Sequence, residues 1–441
     1  MAFSEDIPQP DNGFYVLVTG ANSGLGLGIG TRLIEEFLQT RPQSESLVLI
    51  ITTRDERKGN ATIEKLEAHL RKVCRDHELS LPGITQLLQG RVYFRQERLD
   101  LLSLVSVQKL CKRLHETTPK LDTVICNAGI GGWTGINWPL AIVSILKGFK
   151  NGLTWPVYKI SGQGWLAKPQ LPRGEKESKV EEPPLGEVFC ANLFGHYLLG
   201  HYLAPLLARH PQSSNTRGRI IWVSSLEAYE HTFDVNDMQG IASVVPYESS
   251  KRLTDVLAIT SVLPSTSAAV DQYLGHPQPS AKTTKPRIYV THPGICGTAI
   301  MYLPLILEYA MLATFYVVRF LGSQWHTTTV DKGACAMVWL TLASQSTLDA
   351  MEEREGVGKW GSATDWRGQE RVERTEVTGW GWGGKLGEHK RKGRDPHAQD
   401  LTKESQERFE EAGKNCWAEM EKLRIEWEGR LRVAGLGVEM E

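Results

Sequence analysis

The sequence predicts an α/β protein with a doubly wound parallel sheet, an insertion and a helical C-terminal extension. Two observations favour this class. Short apolar runs that end in glycine or small polar residues alternate with segments of helical periodicity. The first run also passes through a glycine-rich turn directly into a helix. The 441 residues are expected to form an N-terminal tail over 1–13, a catalytic domain over 14–345 and an extension over 346–441.

The composition excludes several classes of protein. Hydrophobic residues make up 41% of the chain and charged residues 23%, which is enough for a substantial core. The net charge of −1 gives no overall field that would recruit nucleic acid. Seven scattered cysteines without metal-ligand spacing indicate reduced thiols facing the cytosol and no metal site. Residues 1–13 are polar and acidic and do not have the pattern of a signal peptide.

The first predicted strand, 14–19, leads through a glycine turn into a predicted helix over 29–38. Strand, glycine turn and helix in this order form the Rossmann-like nucleotide-binding unit. Its glycines let backbone N–H groups approach a pyrophosphate at the start of the helix. A glycine-rich turn without a ligand is the alternative. The residues expected to contact the cofactor here are Gly20, Asn22, Ser23, Gly24, Leu25 and Gly26.

The end of the second predicted strand, 47–53, indicates which dinucleotide binds. A site for NAD usually has a carboxylate here, whereas this chain has Thr53 followed by Arg54. A hydroxyl and a guanidinium suit a 2′-phosphate, so the sequence favours NADPH, although the neighbouring Asp55 weakens the argument. Asp100, at the end of the third predicted strand, is expected to contact the adenine.

The remaining predicted elements continue the alternation. Strands are expected over 92–99, 121–126, 219–225 and 287–291, and helices over 60–75 and 187–199.

A catalytic helix is expected to begin near Tyr247. Lys251 lies four residues further on and therefore on the same face of that helix. An ammonium near a phenol is expected to lower its pKa and make Tyr247 a proton donor and acceptor near neutral pH. The spacing alone is weak evidence, because such pairs occur by chance.

Three motifs together resemble the short-chain dehydrogenase/reductase family. They are Thr-Gly-x-x-x-Gly-x-Gly at 19–26, Asn-Ala-Gly at 127–129 after the fourth strand, and Tyr-x-x-x-Lys at 247–251. The resemblance implies that Asn127, Ala128 and Gly129 line the cofactor. It also implies that Lys251 binds the nicotinamide ribose and that Asn192 completes a proton relay with it through a water. A helix asparagine satisfied by backbone groups is the alternative for Asn192.

The fifth predicted strand ends in two serines, and one of their hydroxyls should hydrogen-bond the substrate carbonyl oxygen. The resemblance assigns this role to Ser225. Ser224 is the alternative, because side chains alternate faces along a strand. After the sixth strand, the resemblance places Pro293 and Gly294 in a turn against the cofactor and Thr298 on the nicotinamide carboxamide.

Four segments depart from a minimal α/β domain. The aromatic insertion at 131–186 either roofs a large apolar substrate or only packs as a peripheral subdomain. Residues 262–286 are expected to form a surface loop. The apolar segment 303–321, interrupted by charges, is too short to span a bilayer and is expected to contact a membrane surface or to pack internally. In the extension, 388–400 is expected to be a poorly ordered linker and about 402–431 an amphipathic helix.

A narrower resemblance rests on three longer segments. The sequence looks like that of fungal 3-keto-steroid reductases over 247–253, 321–326 and 360–364. It implies NADPH-dependent reduction of a 3-ketosterol to the 3β-alcohol during C-4 demethylation in ergosterol synthesis. It also implies attachment to the endoplasmic reticulum membrane and lipid droplets, beside a C-4 oxidase, a decarboxylase and a scaffold protein. The alternatives are a reductase of a 17-ketosteroid or a long-chain 3-ketoacyl lipid, and a scaffold that acts mainly by binding a membrane sterol enzyme.

Overall fold

The computed structural model describes residues 10–78, 83–171, 182–210, 216–275, 284–297, 305–388 and 390–437. The strands within these ranges are β1 Gly13–Thr19, β2 Ser46–Thr53, β3 Val92–Arg98, β4 Thr123–Cys126, β5 Trp133–Ile136, β6 Lys159–Ser161, β7 Arg219–Val223, β8 Arg287–His292, β9 Lys359–Thr364 and β10 Glu370–Thr375. The helices as far as the catalytic one are α1 Gly24–Thr40, α2 Glu56–Glu78, α3 Thr85–Gln89, α4 Leu104–Thr117, α5 Trp138–Lys147, α6 Phe149–Thr154, α7 Glu187–Phe189, α8 Gly195–Leu207 and α9 Pro246–Thr260. Those that follow are α10 Ser267–Leu274, α11 Leu305–Phe320, α12 Val330–Gly333, α13 Cys335–Leu342, α14 Gln345–Glu355 and α15 Lys403–Val433.

Eight strands form one sheet in the order β10-β9-β8-β7-β4-β1-β2-β3. Every neighbouring pair is parallel except β9 and β10. The strand order reverses direction at β1 and β4, and ligands of such sheets bind outside the carboxyl ends of the strands at this point. The strands β5 and β6 pair with each other as a separate hairpin in the insertion.

Helices cover both faces of the sheet, because successive strand residues point to opposite sides. In β1, Leu17 belongs to the core under α4, α8, α9, α10 and α15, whereas Val16 and Val18 belong to the core under α1, α2 and α13. The catalytic helix α9 is buried along its whole length, with α15 packed against it. The prediction of a doubly wound α/β fold is confirmed.

Three details of the prediction are wrong. The expected surface loop 262–286 contains the helix α10, whose Val270 and Tyr273 are buried in the core. The predicted domain boundary at residue 345 falls before β9 and β10, which belong to the main sheet. The expected linker 388–400 is held to the core in its described part: the Trp325 Nε1–H donates to the Gly393 carbonyl at 2.6 Å, and Arg394 pairs with Glu376 at 2.6 Å.

None of the helices in the described ranges is both long enough and apolar enough to cross a membrane by itself. One pair of helices, α9 with Pro264–Leu274, meets the criteria by length and composition only, and it is bent by 107°.

Candidate active site

The turn from β1 into α1 lines a cleft and is packed so closely against its neighbours that two of its positions need glycine. Gly20 has a φ of +66°, and a Cβ on it would lie 2.9 Å from the Ala128 Cβ. A Cβ on Gly26 would lie 2.3 Å from the Gly20 carbonyl oxygen. Ser23 precedes α1, but its side chain makes no capping hydrogen bond to the helix. Backbone N–H groups at this helix start are therefore available to an anion.

The loop after β4 is tied to the end of β1. The Asn127 and Ala128 N–H groups donate to the Thr19 Oγ1 at 2.9 and 3.0 Å, and the Asn127 Nδ2 donates to the Thr19 carbonyl at 2.9 Å. On its other side, the Thr19 hydroxyl lies 2.8 Å from the His196 Nε2. These bonds hold Asn127, Ala128 and Gly129 at the wall of the cleft, next to the glycine turn. His196 is a structural residue that the motifs did not reveal.

The end of β2 is positively charged on the side that faces the cleft. Thr53 and Arg54 line it, together with Lys58 and Lys65 from α2. The Asp55 carboxylate instead accepts the Lys58 N–H at 3.1 Å and is not among the lining residues. Lys58 and Lys65 were not predicted, although their seven-residue spacing places them on one face of a helix. These cations fit a 2′-phosphate.

Most of the other predicted cofactor residues line the same cleft. Asp100 does so after β3, with one carboxylate oxygen accepting the Leu102 N–H at 3.1 Å. Pro293 and Gly294 do so after β8. Gly294 has a φ of +70°, and a Cβ there would lie 2.4 Å from the Trp325 carbonyl oxygen. Thr298 lies outside the described residues.

Tyr247 and Lys251 lie on the first two turns of α9, and both line the cleft. The Lys251 Nζ donates to the Val223 carbonyl at 2.7 Å and lies 5.6 Å from the centre of the Tyr247 ring. The strand β7 ends at Val223, so both serines follow the strand. The Ser224 hydroxyl is buried and donates to the Lys251 carbonyl at 3.3 Å. Ser225 is half-buried, lines the cleft and acts to lower the pKa of the Tyr247 phenol. Its contact with the substrate carbonyl stays a prediction.

The prediction that Lys251 lowers the pKa of Tyr247 is wrong. Burial raises the pKa of the Tyr247 phenol, and the Glu227 carboxylate raises it further. The Lys251 ammonium is itself destabilised by burial and by the nearby Lys359, which lower its pKa to about 8. Tyr247 is therefore a neutral phenol at neutral pH, which is the form that donates a proton.

Asn192 lies in a five-residue π-helix, Cys190–Phe194, between α7 and α8. Such bulges occur often at functional sites. Its Oδ1 accepts the Ile130 N–H at 2.8 Å, and its Nδ2 donates to the Ile130 carbonyl at 3.0 Å and to the Ser250 Oγ at 3.2 Å. The amide thus joins the loop after β4 to the catalytic helix. Its proposed part in a proton relay stays a prediction.

A second buried lysine contacts the segment after β7 that carries Ser224 and Ser225. Lys359, at the start of β9, donates to the Ser225 carbonyl at 2.5 Å and pairs with Asp255 of α9 at 2.7 Å. The side chains of this pair are only 2% and 1% exposed. Sequence reasoning missed Lys359, because nothing near it in the chain shows that it meets α9.

The cleft continues from the dinucleotide half into an apolar half formed by the insertion and α11. Its total volume is about 1270 Å³, larger than the roughly 300–1,000 Å³ of a usual ligand pocket. The apolar half is lined by Ile136, Trp138, Leu153, Trp165, Met311 and Phe315. Tyr247 lines the same cleft, and its ring centre lies 4.7 Å from the Trp133 ring of the insertion and 5.6 Å from the Lys251 Nζ. The insertion therefore does more than pack at the periphery, since several of its residues line the cleft. Its role over a large apolar substrate stays a prediction.

The cysteines are unpaired thiols. All seven cysteines are free, and Cys296 lines the cleft beside Pro293. Groups of three or more His, Cys, Asp or Glu side chains able to hold a metal ion are absent from the ranges that the structure describes.

The chain is similar over almost its whole length to known fungal enzymes. It is 46% identical over 432 residues to the 3-keto-steroid reductase erg27 of Aspergillus fumigatus, with 94% of each chain covered. It is 39% identical to the 3-keto-steroid reductase ERG27 of Gibberella zeae, with 97% of each covered. A short-chain type dehydrogenase/reductase from Mycobacterium ulcerans matches as a solved structure with 15% identity and a TM-score of 0.42, over 76% of this chain and 85% of that one. No protein-family model matches the chain.

Proposed function

The chain belongs to the family of 3-keto-steroid reductases, and from this we propose that it reduces the 3-ketone of a sterol intermediate to the 3β-alcohol in ergosterol biosynthesis. One structural observation carries the proposal. Tyr247 and Ser225 line a cleft that is also lined by the cations near β2 and by the apolar side chains of the insertion and α11. A ketone in the apolar half would meet the phenol and the nicotinamide at the same point.

The residues of the chain divide the work of the reaction. Ser225 and Tyr247 hold the carbonyl oxygen, and their hydrogen bonds strengthen as negative charge develops on that oxygen. Tyr247 then donates its proton and leaves an alcohol. Lys251 binds the ribose and stabilises the transient phenolate, and Asn192 anchors the path for its reprotonation. A bound nicotinamide supplies two electrons and one hydrogen to C3 of the ketone.

We further propose that the cofactor is NADPH. The glycine turn and the free start of α1 fit the pyrophosphate. Arg54 and Lys58 would bind the 2′-phosphate, with Lys65 adding a third positive charge at the same end. Asp55 caps α2 and would not repel that phosphate.

Two helices beside the apolar half support a proposal that the protein works at a membrane surface. In α5, Trp138 is 61% and Leu146 81% exposed; in α11, Tyr309 is 65% and Phe320 68% exposed. Side chains of this size stabilise contact with lipid. We place the protein on the endoplasmic reticulum membrane and on lipid droplets. The substrate is supplied by a decarboxylase that leaves a 3-ketone. We therefore propose three partners: this decarboxylase, the C-4 oxidase and a scaffold protein.

A substrate panel tests the proposed function. Purified protein is assayed with NADPH and with NADH against a C-4-methylated 3-ketosterol, a 17-ketosteroid and a long-chain 3-ketoacyl thioester. We expect the highest kcat/KM for the 3-ketosterol with NADPH, and a 3β-alcohol as the product. Preferred reduction of either other ketone would contradict the substrate assignment.

The variant Tyr247→Phe is the matched control for the chemistry. It should lower kcat at least about 100-fold, because the proton donor is lost, while NADPH still binds. Full turnover in this variant would exclude Tyr247 as the donor. Protein that lacks turnover but fully restores sterol synthesis in cells would favour the scaffold instead.

A further inference from the structure

We propose that Trp133 and Lys159 of the insertion are positioning residues for ketone reduction, which hold the Tyr247 ring and the loop carrying Ser225 in reactive geometry. Neither residue belongs to the dinucleotide-binding fold, and both line the cleft. The inference rests on the proposed function for the reaction, but its contacts are independent of which ketone is reduced.

A series of direct contacts connects the two residues with the reactive hydroxyls. The Trp133 and Tyr247 ring centres lie 4.7 Å apart with the rings inclined at 57°. The Lys159 Nζ lies 4.0 Å from the centre of the Trp133 ring, on its face. The same Nζ donates to both Glu227 carboxylate oxygens, at 2.6 and 2.5 Å. The Glu227 N–H in turn donates to the Ser225 Oγ at 3.1 Å.

These contacts lead back to the reactive phenol, because the Ser225 hydroxyl is close enough to Tyr247 to act on its pKa, in the lowering direction. The antiparallel pairing of β5 and β6 sets Trp133 opposite Ser161, two residues after Lys159, and the Lys159 side chain reaches along the pair to the Trp133 ring. The side chains of Lys159 and Glu227 are only 11% and 13% exposed. An ion pair with so little water around it holds a more defined geometry than a surface pair.

The phenol needs such support on the substrate side. A tyrosine ring at the edge of an open cleft can rotate about its side-chain bonds unless a neighbour packs on its face. Trp133 provides that neighbour for Tyr247, and the Lys159 ammonium over the indole ring stabilises the position of Trp133. A shift of about 1 Å in a reacting group can lower a rate about 100-fold. Small displacements of this wall would therefore affect catalysis.

The charges around the phenol explain why Lys159 matters beyond packing. The titratable groups that raise the pKa of Tyr247 are Glu227, Glu248 and Cys296. Burial and the Glu227 charge raise the pKa of Glu248 to about 7, and Glu227 is the carboxylate whose two oxygens both accept from Lys159. Lys159 neutralises that charge and keeps Glu227 turned towards the hairpin. Without Lys159, the unpaired Glu227 carboxylate would accept hydrogen bonds from other donors, including the Ser225 hydroxyl.

The test compares Lys159→Met with Lys159→Arg in the full-length protein. Each is assayed with NADPH and two ketones, 5α-cholestan-3-one and the small bicyclic trans-2-decalone. We expect Lys159→Met to lower kcat about 10- to 100-fold for both ketones, with little change in the Kd for NADPH. Lys159→Arg keeps the ion pair and should recover most of the activity. Trp133→Leu should lower kcat for both ketones in the same way.

Lys168→Met is the matched control, because Lys168 is an exposed lysine of the same insertion. It should behave like the unmodified protein. If Lys159→Met and Trp133→Leu change only the KM for cholestanone, the two residues merely line the substrate site and the proposal is wrong. It is also wrong if Lys159→Arg is as impaired as Lys159→Met.

A second measurement does not depend on turnover. Amide hydrogen exchange over 225–229 should be faster in Lys159→Met than in Lys168→Met, and equal exchange would contradict the proposal. A protein that reduces decalone but not cholestanone would refute the sterol assignment while the comparison of variants still stands. The two ideas can therefore fail separately.

Discussion

The Tyr247 phenol is buried between a carboxylate and a hydroxyl, and burial keeps it protonated. This suits a reductase better than the lowered pKa that a nearby ammonium would give. A ketone oxygen becomes a strong base as reduction proceeds, so a neutral phenol beside it donates its proton readily. The Lys251 ammonium points to the Val223 carbonyl and, with a pKa of about 8, is largely protonated at neutral pH.

Removal of a positive charge from the ribose end of the cleft should change the choice of cofactor. In Arg54→Ala, we expect the Kd for NADPH to rise about 10- to 100-fold, since a charge-assisted hydrogen bond contributes about 1.5–3 kcal/mol. The Kd for NADH should change little, because NADH has no 2′-phosphate. Quenching of protein fluorescence measures both constants.

Arg57→Ala is the control for this prediction, since Arg57 is an exposed neighbour that is not among the residues lining the cleft. Equal weakening of NADPH and NADH in Arg54→Ala would mean that the guanidinium contacts another part of the dinucleotide.

The sequence predicted the residues whose roles depend on local spacing. Tyr247, Lys251 and the glycine turn are recognisable because their spacing fits one helix or one turn. Lys359 was missed because its partner Asp255 lies 104 positions away in the chain. The predicted direction of the Tyr247 pKa was wrong because burial, the largest cause, and the Glu227 carboxylate from another segment both raise it, and no spacing rule gives either effect.

At the scale of elements, the catalytic helix α9 is fixed from three sides. The sheet lies under it, and Lys359 of β9 pairs with its Asp255. On the outer side, the Trp417 Nε1–H of α15 donates to the Leu257 carbonyl at 3.1 Å.

The apolar spacing of 402–431 correctly predicted a helix, but a periodic pattern does not say which face of the protein it covers. The insertion was ambiguous for a similar reason, since aromatic residues occur both in packed subdomains and over substrate sites.

The exposed faces of α5 and α11 should bind lipid together. The double variant Leu146→Ser with Phe320→Ser should lower partitioning onto phosphatidylcholine–phosphatidylinositol vesicles at least about 10-fold, because burial of each side chain contributes about 1.5–3 kcal/mol. Vesicle flotation measures bound and free protein. Activity with decalone, a water-soluble ketone, should be unchanged.

Val433→Ser provides the control for hydrophobicity alone, since Val433 is 91% exposed at the end of α15. It should float like the unmodified protein. Equal flotation of the double variant, or an equal loss in Val433→Ser, would show that these two helices are not the lipid-binding surface.

At the scale of the whole molecule, one edge of the sheet organises all the chemistry. The carboxyl ends of β1, β2, β4 and β7 hold the dinucleotide half of the cleft, and the insertion adds the substrate half. This arrangement leaves a set of polar groups buried behind the cleft. His196 is one: its Nε2 accepts from the Thr19 hydroxyl at 2.8 Å, and its Nδ1–H donates to the Asn192 carbonyl at 3.3 Å.

His196 should make the folded protein sensitive to acid. Burial lowers its pKa to about 3, against an ordinary value of 6.5. Below pH 6.5 the unfolded chain therefore binds a proton that the native state does not, and stability falls as the pH decreases towards 3. At pH 5 the loss from this one group is about 2 kcal/mol. Glu248, with a pKa raised to about 7, acts in the opposite direction between pH 7 and 4.5.

The variant His196→Gln separates the two effects, because glutamine keeps an acceptor for Thr19 but does not titrate. Urea unfolding at pH 7.5 and pH 5 gives the loss of stability in each protein. The variant should lose about 2 kcal/mol less than the unmodified protein between these values, whereas Glu248 contributes equally to both and cancels. An identical loss in the two proteins would mean that the pKa of His196 is the same in the folded and the unfolded chain.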